Sequence, residues 1–141
     1  KLDWHELTHS KKDHVTIEHI YPQTETDYWA AKFNPYTNEQ KRFLSHSLGN
    51  LLPLSRAKNA SLQNDSFVLK KNNGNGVGYY NGSCAENEVG QLEGWNPEEV
   101  LSRGLRLLKF IEERWSITLG DENVKRQLLC LDFVKDDNQQ I

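Results

Sequence analysis

Glu18 and His19, an acid beside an imidazole, close a strand-like run of Val15, Thr16 and Ile17 and are followed by Ile20-Tyr21-Pro22-Gln23. Imidazole takes up and releases protons near neutral pH, so a histidine held at a strand end can activate a water. A carboxylate and an amide oxygen are hard donors of the kind that bind Mg²⁺. The same half of the chain carries His46, Asn50, Asn59 and Asn64, with Lys58, Lys70 and Lys71 as candidate cations. Each of these also has a plainer reading. Glu18-His19 suits a solvated strand end, and Gly49-Asn50 is a common turn pair. Asn59 suits a helix surface, and Asn64 suits a helix end. His46 suits a helix C-terminus, where the dipole favours a cation.

His5, His9, His14 and His19 recur every four or five residues, a spacing that raises zinc. Zinc is disfavoured because His14 and His19 straddle a strand and face opposite sides of it. No cysteine lies near enough in sequence to complete a tetrahedral set.

The elements that must position these groups follow from pattern and punctuation. Residues 2–10 read as the end of a helix. Residues 15–21 alternate apolar and polar, which predicts a strand. Tyr28 to Phe33 forms one or two helical turns closed by Asn34-Pro35. Thr37 or Asn38 caps a helix over 39–46, with Gly49 as its expected stop. Residues 50–54 form a second strand, in which Pro53 marks an edge. Ser55 caps a helix broken at Asn64-Asp65, and 66–71 make a further turn or two of helix. The glycine-asparagine run 72–78 reads as a mobile linker. The clearest helix spans 97–115, with Asn96 as N-cap, Pro97 at its first position and Glu99 placed for a capping box. Val100, Gly104, Leu107, Leu108, Ile111 and Trp115 form its apolar stripe. Trp95 and Trp115 are read as core or helix-boundary anchors. A short helix over 121–131 and a polar tail complete the chain.

The 141 residues suit one domain with a real core, 36% hydrophobic and 26% charged. The net charge of −3 argues against an autonomous nucleic-acid binder. The charge is unevenly spread. Residues 1–71 hold 10 Lys/Arg against 8 Asp/Glu, whereas 72–141 hold 7 against 12. The candidate residues lie in the basic half. Cys84 and Cys130 form no metal-binding pair and read as reduced cysteines of a cytoplasmic protein. No run is long enough to span a membrane. The start at Lys1 and the lack of Met suggest a piece of a larger protein.

The arrangement of His19 on one strand, Asn50 at the next and Asn59 on the helix after it resembles the HNH, or ββα-metal, nuclease finger. "EHIYPQ" followed by "GNLLPLSRAKN" carries that resemblance, with nine residues from Asn50 to Asn59. Over residues 15–116 the pattern "IEHIYPQ … HSLGNLLPLS … N" is similar to the DUF1524-type C-terminal domain of GmrSD-like modification-dependent restriction enzymes. The resemblance implies an α+β domain, with a finger at 15–65 embedded in helices and a helical cover at 96–131. It implies metal-dependent DNA hydrolysis, by nicking, in bacterial anti-phage defence. His19 would be the general base, and Glu18 and Asn59 would hold Mg²⁺ or Mn²⁺. Asn50 would brace the loop that aims His19, and His46 would contact the phosphate or the leaving group. Lys58, Lys70 and Lys71 would touch the DNA backbone. The resemblance further implies an upstream DUF262-type nucleotide-hydrolysing sensor. Glu18 departs from the Asp or His found in many HNH enzymes. The alternative is a catalytically inactive HNH-like module that binds DNA or a partner protein.

Overall fold

The computed structural model describes residues 15–135. The stretch 2–10, His5, His9, His14 and the tail beyond 135 lie outside the described residues. Those described form an α+β fold of two strands and seven α-helices. In chain order these are β1 (Val15–His19), α1 (Asp27–Lys32), α2 (Asn38–His46), a 3-10 turn (Leu48–Asn50) and β2 (Leu51–Ser55). Then follow α3 (Arg56–Leu62), α4 (Phe67–Lys71), a second 3-10 turn (Tyr79–Asn81), α5 (Cys84–Gly90), α6 (Pro97–Trp115) and α7 (Glu122–Leu128). None of the described helices is long and apolar enough to cross a membrane.

By packing, the chain divides into two compact units, each built from two segments. Residues 15–18 and 52–94 belong to the first, and residues 19–51 and 95–135 to the second. The chain passes between units at Glu18-His19, at Leu51-Leu52 and at Gly94-Trp95.

In the first unit β1 pairs with β2 in a two-stranded antiparallel sheet. Thr16 Oγ1 donates to the Leu54 carbonyl. Pro53 is exposed on β2, as suits a sheet in which both strands are edges. Leu52, Leu54, Leu62, Phe67, Tyr79 and Val89 are buried. Serine hydroxyls start the helices: Ser55 accepts from Lys58 N, Ser66 from Leu69 N and Ser83 from Glu86 N. Helix α5 has no counterpart among the expected elements. Its signal was present, because Ser83-Cys84-Ala85-Glu86 forms a full capping box. The 72–78 segment is tied to itself and its surroundings. Gly74 N and Asn75 N donate to the side chains of Asn72 and Asn73, and Asn81 Nδ2 donates to the Gly76 carbonyl.

The second unit holds the larger aromatic core. Tyr21 stacks on Phe33 at 3.7 Å, and Trp29 meets both rings edge-on. Helix α2 starts at Thr37, whose side chain forms a capping box with Gln40. It ends at His46, with Ser47 rather than Gly49 as its cap. Gly49 instead lies in the 3-10 turn, where a Cβ would sit 1.9 Å from the Val100 carbonyl oxygen. The close approach of the turn to α6 therefore requires a residue with no side chain. Gly49→Ala is expected to cost about 2 kcal/mol or more, a fall of roughly 5 °C or more in Tm. An unchanged melting curve would show that the turn is not clamped on α6.

Asn96 caps α6 by accepting from Glu99 N, and Pro97 occupies the first turn as expected. The buried face is Pro97, Val100, Leu101, Arg103, Gly104 and Leu108. Of the stripe read from sequence, Val100, Gly104 and Leu108 are buried and Leu107 and Ile111 half-buried, but Trp115 is 61% exposed and is no core anchor. The Arg114 guanidinium lies over its ring. Trp95 is fully buried. Cys84 and Cys130 are both free.

Candidate active site

Strand alternation sends Glu18 and His19 to opposite faces of β1. Glu18 is buried and His19 half-buried. Glu18 belongs to the first unit and His19 to the second.

In the second unit, the chain turns sharply after His19 at Ile20-Tyr21-Pro22. The side-chain amide of Gln23 lies 3.0 Å from His19 Nε2, within hydrogen-bond distance. The His46 ring, in the last turn of α2, meets the His19 ring edge-on at 5.3 Å. His46 itself is exposed.

Asn50 is fully buried, and its amide is saturated. Oδ1 accepts from Tyr21 N at 2.8 Å and from Trp95 Nε1 at 3.0 Å. Nδ2 donates to the carbonyls of Tyr21 and Ser45, both at 2.8 Å. Asn50 thus grips both polar groups of residue 21, two positions beyond His19, and ties them to the end of α2. Its own carbonyl accepts from Ile20 N. The turn that carries Asn50 is braced in turn by Arg103. This buried guanidinium donates to the carbonyls of Gly49 at 2.7 Å and Leu51 at 2.8 Å. Sequence reading missed Trp95 and Arg103 in these roles. An arginine on the otherwise apolar stripe of α6 was the available signal, since a buried charge must meet partners.

In the first unit, Glu18 Oε1 accepts from Lys70 Nζ at 2.5 Å and from the Tyr79 hydroxyl at 3.1 Å. The Lys70 side chain is 0% exposed and that of Glu18 3%. Burial pulls the Lys70 pKa below the ordinary lysine value, and the Glu18 charge opposes that fall. Asn59 Nδ2 donates to Thr16 Oγ1 at 2.9 Å and to the Ile17 carbonyl at 3.2 Å. Both donors of the amide are thereby spent on β1, which orients the side chain and keeps Oδ1 as an acceptor.

The three lysines expected at DNA are placed differently. Lys58 pairs with Glu86 and donates to the Gly78 carbonyl. Lys70 is buried on Glu18. Lys71 donates to the Leu92 carbonyl at 2.9 Å and lies over the Phe67 ring. All three hold the first unit together. Asn64 is exposed in the turn after α3.

The fit of a divalent ion divides between the two expected ligands. Asn59 offers an oriented amide oxygen, which suits a hard cation. Glu18 does not fit in this arrangement, because Lys70 already neutralises its carboxylate and Tyr79 bonds the same oxygen. Among the described residues no three His, Cys, Asp or Glu side chains cluster as a metal set.

His19 ends the first strand, Asn50 locks the turn before the second and Asn59 lies on the following helix, the order along the chain that the HNH resemblance implies. Residues 2–110 match the model for the C-terminal domain of GmrSD restriction endonucleases, and the chain belongs to that family. The family points to a nuclease domain. No curated protein and no solved structure matches the chain.

Proposed function

We propose that this domain hydrolyses phosphodiester bonds in DNA, with His19 as general base. The observation that carries the reading is the His19 ring, edge-on to His46 and with its exit from the strand pinned by Asn50. A water displacing the Gln23 amide would give its proton to Nε2 as its oxygen bonds to phosphorus and the bond to the leaving oxygen breaks. His46, ring to ring with His19, would contact the phosphate or the leaving oxygen. Asn50 never reaches substrate and acts as a positioning residue. One such centre nicks one strand.

A divalent ion, Mg²⁺ or Mn²⁺, is the expected cofactor and would neutralise charge on the phosphate and leaving oxygen. Asn59 Oδ1 is its best-oriented ligand, and Glu18 could join only by exchanging Lys70. The expected setting is bacterial anti-phage restriction, with an upstream DUF262-type sensor domain supplying targeting. The neutralised Glu18 favours a second reading, a module that binds DNA or a partner without cutting.

Incubation of supercoiled plasmid with Mg²⁺, Mn²⁺ or EDTA separates the two. Open circles with metal and none with EDTA are expected. Intact plasmid in every lane would overturn autonomous nicking and leave the binding module.

A further inference from the structure

Helix α2 lays five polar residues along one stripe, Asn38, Lys41, Arg42, Ser45 and His46, at positions i, i+3, i+4, i+7 and i+8. All five line a cleft of about 290 Å³ in the second unit, closed opposite by Tyr21, Pro22, Gln23 and Glu25. The volume suits a phosphate with its adjoining sugar. The cleft runs onto His46 and Gln23, which both meet the His19 ring.

Its charges divide into a satisfied pair and open donors. Lys41 and the Tyr21 hydroxyl both bond the Glu25 carboxylate, which cancels the one negative charge. Arg42 is exposed and makes no ion pair or hydrogen bond among the described residues. The Ser45 hydroxyl is buried, with its residue 4% exposed, and has no partner there either. An unpartnered buried hydroxyl is costly, so its persistence on a cleft wall points to an oxygen supplied from outside. A forked guanidinium, a hydroxyl and an amide converging on a small space match a phosphodiester group.

We propose that this cleft binds the backbone phosphate next to the cleaved bond, with Arg42 as its cation and Ser45 and Asn38 as neutral donors. The proposal rests on the nuclease reading and supplies a DNA contact in the second unit, whereas Lys58, Lys70 and Lys71 are engaged within the first. Arg42 does not touch the reacting phosphate. It is a binding residue, and it acts on KM.

The test measures binding of a fluorescein-labelled DNA duplex to the His19→Ala chain by anisotropy over a series of salt concentrations. Adding Arg42→Gln is expected to weaken binding about tenfold at low salt and to lower the salt slope by about 0.9. Arg42→Lys should recover part of the loss. Ser45→Ala should weaken binding without lowering Tm, because no internal bond is lost. Glu25→Gln should tighten binding by removing the carboxylate. The proposal is overturned if the duplex fails to bind at low salt, or if Arg42→Gln leaves affinity and slope unchanged. Plasmid relaxation by the chain with His19 intact keeps the two readings apart. Binding through Arg42 without any cutting would sink the nuclease reading alone, and cutting indifferent to Arg42 would sink this one alone.

Discussion

His19→Ala is expected to slow plasmid relaxation by about 10²–10⁴-fold, the usual contribution of a positioned general base. The fold should survive the change. His19 is half-buried, and its ring meets Gln23 and His46, both exposed side chains. The backbone on either side is held independently of the imidazole. Asn50 grips residue 21, and the Ile20 amide bonds the Asn50 carbonyl. A change in Tm of more than a few degrees would mean the loss of cutting reports unfolding. Equal cutting by parent and variant, with identical melting curves, would remove His19 from the chemistry. Binding of the duplex should be nearly unchanged, since the cleft cations lie on α2. Loss of rate with retained binding is the signature of a group that acts only as the bond breaks.

The strands and most of the helices were legible because they are punctuated locally. Thr37, Ser55 and Asn96 each announce a helix start, and each accepts the amide bond expected of a cap. The long helix was also legible in its buried stripe, up to the point where Trp115 leaves the core. Long-range matters were less legible. Gly49 reads locally as a helix stop, but it is glycine because α6 passes against it, some fifty positions later in the chain. Lys70 and Lys71 read as a basic patch, but one is buried on a carboxylate 52 positions away in sequence and the other caps backbone carbonyls. A lysine's sequence neighbours do not say whether its ammonium meets water or a buried acid. Asn50 stood out by its spacing from Asn59. Its partners Trp95 and Arg103 did not, because they arrive from a distant segment. Arg42 and Ser45 become candidates only once the stripe of α2 is seen to face a cleft.

Lys70→Met is expected to destabilise the protein by about 3–5 kcal/mol, because it strands the Glu18 carboxylate inside the first unit. The neutral Tyr79 hydroxyl cannot replace the charge that Lys70 supplies. Adding Glu18→Gln removes that charge while keeping an acceptor for Tyr79, so the double variant should recover most of the loss. Denaturant melts of the parent, both single variants and the double variant measure the coupling. If Lys70→Met alone melts like the parent, the buried pair is not holding this unit together. The folded double variant then decides what Glu18 is for. Plasmid relaxation at the parental rate would make Glu18 purely structural and leave Asn59 as the only expected metal ligand on the chain. Loss of relaxation in a protein that folds and still binds the duplex would show that the carboxylate enters the chemistry. In that case Lys70 holds it neutralised until substrate and ion compete for it.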